Sequence, residues 1–139
     1  MIGAVHAAVG AGVGSLCKNK SAAFVAGIVS HLIADAAPHK DFSMKIELPL
    51  VAGAMLAMGL WRGLDSPEFW GALGGIAPDI EHGLLVAGVI EMEDEVFPTH
   101  AENGKLHGAE TNERWSQLLI AAASVLTIAL TTRRGDSDC

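Results

Sequence analysis

Six histidines punctuate a chain that is otherwise half hydrophobic: His6, His31, His39, His82, His100 and His107. Two carboxylates, Asp35 and Asp79, sit in equally apolar surroundings, in "HLIADAAPH" and "APDIEH". His31 and Asp35 are four residues apart, so on a helix they share a face. Neutral imidazole and carboxylate both suit zinc, which makes that pair a natural edge of a metal site. Asp79 and His82 are three apart and again share a face. His39 continues the His31–Asp35 spacing, but Pro38 biases Ala37 out of helical geometry. His39 therefore either joins the pair or turns outward with the loop.

Each residue has a plainer alternative. His6 could be a hydrogen-bonded core histidine, and His31 with Asp35 an internal pair. Asp79 could cap a helix that restarts after Pro78. Ionisable groups deep in an apolar or membrane segment are costly, however, and are kept for function by default. On that ground Asp35 and Asp79 are candidate catalytic carboxylates. His6, His31, Asp35, His39, Asp79, His82, His100 and His107 are the candidate metal ligands. Asp35 or Asp79 could act as a general base through a bound water.

Positioning such a set requires several helices. Five apolar stretches run at about 2–17, 22–37, 46–61, 68–90 and 115–132, and none alternates in the manner of a strand. The last, "WSQLLIAAASVLTIALTT", carries no charge, opens on Trp115 and is followed by Arg133 and Arg134, as a membrane span with interfacial anchors would be. The second and third reach only about 24 Å at 1.5 Å per residue, short of a core of about 30 Å. Five such stretches joined by short polar connections predict an all-α, polytopic membrane bundle of about five helices. It forms one domain over 1–139, with a polar loop at about 91–114.

The connections carry local signals. Ser21 is a candidate N-cap for the second helix. Ser66 and Pro67 form an N-cap and N1 pair for the fourth. Pro78 should kink or break that helix. Gly10 with Gly14, and Gly71 with Gly75, are spaced to line helix faces and allow close packing. Five spans would put the N-terminus, the 38–45 loop and the 91–114 loop on one side. Every candidate ligand could then gather there. The basic residues divide almost evenly between the two sides, so orientation in the bilayer is not readable.

Composition excludes other classes. The chain has 139 residues, 18% charged, with a formal net charge of −7 and no basic stripe, so no nucleic-acid partner is expected. Cys17 and Cys139 form no CxxC pair. The start lacks the basic region of a signal peptide, and residues 1–17 are expected to be retained. No GxSxG elbow, P-loop or HExxH spacing is present.

Taken together, "HLIAD", "APDIEH" and "PTH" resemble the motifs of the bacterial membrane-bound metal-dependent hydrolases, the LexA-binding, inner-membrane-associated group. These are distantly similar to zinc-dependent phospholipase C. The resemblance covers nearly the whole chain. It implies that His31 and Asp35 form the His-x-x-x-Asp metal element, with Asp79 and His82 the Pro-Asp motif, His100 the Thr-His motif and His6 an early ligand. In the larger family the Pro-Asp motif precedes His-x-x-x-Asp and carries Asp where Glu81 stands here.

The resulting expectation is an integral protein of the bacterial inner membrane that uses two or three divalent ions, zinc foremost. It would hydrolyse a phosphoester, a lipid head group being one candidate substrate, with the bilayer as its partner. The alternatives are a membrane metal-binding protein without turnover, a haem-binding bundle and a purely structural bundle.

Overall fold

The computed structural model describes residues 1–94, 96–97 and 115–137, with side chains followed to residue 131. Five α-helices account for most of it: α1 (Gly3–Gly14), α2 (Lys20–Asp35), α3 (Met44–Arg62), α4 (Pro67–Val86) and α5 (Trp115–Ser137). A single 3-10 turn, Met92–Asp94, follows α4. His100 and His107 lie outside the described residues.

The helix ends follow local chemistry. Asn19, not Ser21, caps α2: its side chain accepts from the Ala22 amide at 2.9 Å. A cap must stand just outside the helix, and α2 already begins at Lys20. Ser66 caps α4 as expected, accepting from the Phe69 amide at 3.1 Å, with Pro67 in the first turn. Gly63 joins α3 to α4 at φ +86°, a left-handed conformation that favours glycine.

Pro78 does not break α4, which runs unbroken from Pro67 to Val86. An interior proline removes one helical hydrogen bond and costs about 3 kcal/mol. Here the helix is held from both sides, because α4 packs along both α1 and α2. That packing outweighs the local preference.

Glycine makes this three-helix junction possible. A Cβ on Gly10 or on Gly27 would run into the Gly71 carbonyl, and one on Gly75 would lie 2.5 Å from the His6 carbonyl. The backbones of α1, α2 and α4 therefore meet directly, as the paired spacing of Gly10 with Gly14 and Gly71 with Gly75 predicts. Around the junction Ala7, Ala11, Ala72 and Ile76 pack with Met58 and Ile128. α3 and α5 lie outside it, α3 against α1 and α4, α5 against α1.

The distribution of polarity is unusual. His6, His31, Asp35 and His39 are each 2% exposed or less, while Ile33, Leu60 and Leu119 are 70% exposed or more. Among the described residues one helix, α3, is long and apolar enough to cross a membrane, with mean hydropathy 1.4. Only Met58 is buried along it. α1 and the Trp115–Thr131 portion of α5 are apolar but shorter; α1, at 12 residues, rises about 18 Å.

Candidate metal centre

Five of the eight candidate ligands, His6, His31, Asp35, His39 and Asp79, come together. His6 comes from the first turns of α1, His31 and Asp35 from the last turn of α2, and Asp79 from the second half of α4. A nitrogen of His6, a nitrogen of His31 and an oxygen of Asp79 all lie within 4.8 Å of one another. The two imidazoles stack with centroids 3.9 Å apart and planes inclined by 26°. Three sequence-distant helices thus supply three donor atoms to one small volume.

His31 has its orientation fixed from behind. Its Nδ1 lies 2.8 Å from the Gly75 carbonyl oxygen, which can only accept, so Nδ1 carries the proton. Nε2 is then left with no hydrogen-bond partner in a fully buried position. It lies 3.4 Å from Asp35 Oδ2 and 3.8 Å from Asp79 Oδ1. A lone pair aimed at two carboxylates at those separations is unfavourable unless a positive charge stands between them. That charge is either a second proton on the ring or a cation. A backbone carbonyl holding the far nitrogen of an imidazole is the usual outer support of a metal-bound histidine.

Asp35 ties the cluster together. Its Oδ1 accepts from the Met1 ammonium at 2.7 Å and lies 2.9 Å from His6 Nε2. The remaining nitrogen of His6, Nδ1, is buried without a hydrogen-bond partner. Asp79 differs from Asp35 in access, its side chain being 31% exposed against 2%.

His39 resolves in favour of the cluster, though not by extending the helix. α2 ends at Asp35, and the chain after Pro38 folds back so that His39 is 2% exposed. Its Nδ1 donates to the Ala37 carbonyl at 2.8 Å. Its Nε2 faces Asp35 Oδ1 at 3.9 Å and Asp41 Oδ2 at 3.5 Å. Asp41, which the sequence presented only as a loop residue, thereby joins the group and also lies 3.1 Å from the Met1 ammonium.

His82 is half-buried and lies outside the convergent trio of His6, His31 and Asp79. Glu81, the departure from the resembled Pro-Asp motif, is used elsewhere. Its two oxygens accept from the Val96 and Phe97 amides, each at 2.7 Å.

Two more residues were not legible as site residues. Glu47, at the start of α3, accepts from the Gly3 amide at 3.0 Å and from the Phe42 amide at 2.9 Å. Gln117, fully buried on α5, accepts from the Ile2 amide and donates to the Lys40 carbonyl, both at 2.9 Å. The signal in each case was a polar residue in the first turn of a largely apolar helix, Glu47 near Lys45 and Gln117 beside Ser116. No family model, curated protein or solved structure matches the chain.

Proposed function

We propose that this is a membrane-embedded metalloprotein whose His6, His31 and Asp79 hold a divalent cation, and that it hydrolyses a phosphoester. The observation that carries the metal reading is His31 Nε2. It is buried, stripped of hydrogen-bond partners, and set between two carboxylates by a carbonyl bond on the opposite side of its ring. Two imidazoles and a carboxylate form a donor set suited to zinc. A zinc ion held there supplies Lewis acidity and a water whose pKa falls to about 7. This agrees with the resemblance of "HLIAD" and "APDIEH" to the membrane-bound metal-dependent hydrolases.

The protein's own residues divide the remaining work. Asp35, almost wholly buried, grips His6 Nε2 and faces His31, so its role is to hold both rings. Asp79 is the more accessible carboxylate; it would hold the ion through one oxygen and leave the other to accept a proton from water. The membrane reading rests on the inverted polarity, with histidines and aspartate inside and large aliphatic side chains outside. A substrate reached from such a surface would be a lipid phosphoester. A second reading, metal binding without turnover, is favoured by the depth of His6, His31 and Asp35, which leaves little of the cluster open to a bulky substrate.

The test is metal analysis of the purified protein beside His31→Ala and Asp79→Asn, followed by turnover of soluble and lipid phosphodiesters. Zinc lost in both variants, with hydrolysis by the wild type, is the expected result. Zinc bound by the wild type with no hydrolysis of any substrate leaves the non-catalytic reading. Unchanged metal content in both variants overturns the metal centre altogether.

A further inference from the structure

Glu47 and Gln117 make the same connection from opposite sides. Each bonds one free amide at the start of α1, Gly3 for Glu47 and Ile2 for Gln117. Each also bonds the backbone of the loop that follows α2, at Phe42 for Glu47 and at Lys40 for Gln117. The first amides of a helix have no intrahelical acceptor, so these contacts satisfy donors that would otherwise be orphaned. Glu47 adds a negative charge at the positive end of the α1 dipole.

The two segments so joined are the ones that carry His6 on one side and His39 with Asp41 on the other. His39 is not held by helical geometry, since α2 has ended at Asp35. Its own ring bond, to Ala37, is local to the loop. The loop meets the start of α1 through the Asp41–Met1 ion pair and Phe42 packing, and side chains from α3 and α5 tie the two backbones together from either side. Gln117 is fully buried, and both ends of its amide are used in this way.

Resting on the metal-centre reading above, we propose that Glu47 and Gln117 are its positioning residues. They form a two-sided clamp that sets His39 and Asp41 against the His6–Asp35 pair. Neither touches the donor atoms themselves. Their effect passes through the backbone of residues 2–3 and 40–42. In this arrangement α3 and α5, which contribute no ligand among the described residues, are required for the centre to assemble.

The test titrates the full chain, purified in detergent, with Co²⁺, reading both affinity and the visible ligand-field spectrum. Glu47→Gln places an amide donor against one of the two amides that the carboxylate now receives. Gln117→Met keeps the volume and removes both bonds. Gln117→Glu keeps the acceptor for Ile2 and turns the donated bond to the Lys40 carbonyl into a repulsion between two acceptors, and it serves where the methionine variant does not fold. Each is expected to weaken Co²⁺ binding by about 10–100-fold, as outer-shell changes do, and to alter the spectrum. Arg62→Leu is the control, because it disrupts the Arg62–Glu68 pair in the α3–α4 connection region. It should lower thermal stability while leaving affinity and spectrum unchanged. Wild-type affinity and spectrum in Glu47→Gln and in the folded Gln117 variant would overturn the clamp. Failure of the wild type to bind Co²⁺ would instead overturn the metal centre on which it rests.

Discussion

Gly75→Ala should damage the centre without touching a ligand. Gly75 does two things at once. Its carbonyl holds His31 Nδ1 at 2.8 Å, and its bare Cα faces the α1 backbone beside His6. A Cβ there would lie 2.5 Å from the His6 carbonyl oxygen, 3.2 Å from the His6 carbonyl carbon and 3.3 Å from Gly10 Cα. All three neighbours are backbone, so no side chain can swing away. To restore ordinary contact at 3.4 Å, α1 and α4 must part by about 0.9 Å at this level. Overpacking of this kind costs about 1–3 kcal/mol, against which the better helix propensity of alanine returns about 1 kcal/mol. The net loss of stability should be about 0–2 kcal/mol by these figures.

The larger effect should fall on metal affinity. A centre tolerates displacements of only about 0.5 Å before its geometry is lost. Here the displaced backbone belongs to His6, while the shifted acceptor belongs to His31. Calorimetric zinc titration should therefore show a loss of about 10-fold or more, comparable to removal of an outer-shell partner. Gly53→Ala is the matched control, since a Cβ there meets nothing within 4 Å. It should be neutral or stabilise by about 0.5–1 kcal/mol. If Gly75→Ala matched wild type in both thermal midpoint and zinc affinity, the close approach of α1 and α4 would not be what positions the histidines.

Three further outcomes are expected. Arg62→Leu leaves the buried Glu68 without the guanidinium that now binds it at 2.7 Å and 3.1 Å. It should cost about 3–5 kcal/mol, and chemical denaturation reading under 1 kcal/mol would show the pair to be dispensable. Ser66→Ala removes the α4 cap at Phe69 and should cost about 1 kcal/mol; an unchanged denaturation midpoint counts against the cap's importance. The outward aliphatic surface predicts that the expressed protein stays with the membrane pellet through alkaline carbonate washing. Recovery in the supernatant would remove the membrane reading.

Much of the helical framework could be read from the chain because it is set locally. Ser66 with Pro67 marks a helix start by hydrogen bonding and ring geometry within four residues. The spacing of Gly10 with Gly14 and of Gly71 with Gly75 marks faces that must approach closely. Where a nonlocal force competes, local reading fails. Pro78 marked a kink or a break in α4; it does not break the helix, because contacts with α1 and α2 hold it through that point. Ser21 looked like a cap, yet Asn19 sits at the position from which a side chain reaches the orphan amide.

For the site, the sequence determined which residue types were available and which pairs share a face. His31 with Asp35 follows from helical spacing alone, and burial of His6 follows from its apolar setting. Tertiary structure decided the rest. It brought Asp79, 48 residues from His31 along the chain, to a separation of 3.8 Å. It chose the proton-bearing nitrogen of His31 by placing the Gly75 carbonyl behind it. It folded His39 back after Pro38, and it recruited Asp41, Glu47 and Gln117 from places where sequence shows only a loop acid and two polar residues at helix starts. Spacing along a helix fixes direction within that helix. Convergence between helices depends on how closely their backbones can pack, and here glycine at the α1–α2–α4 junction sets that distance.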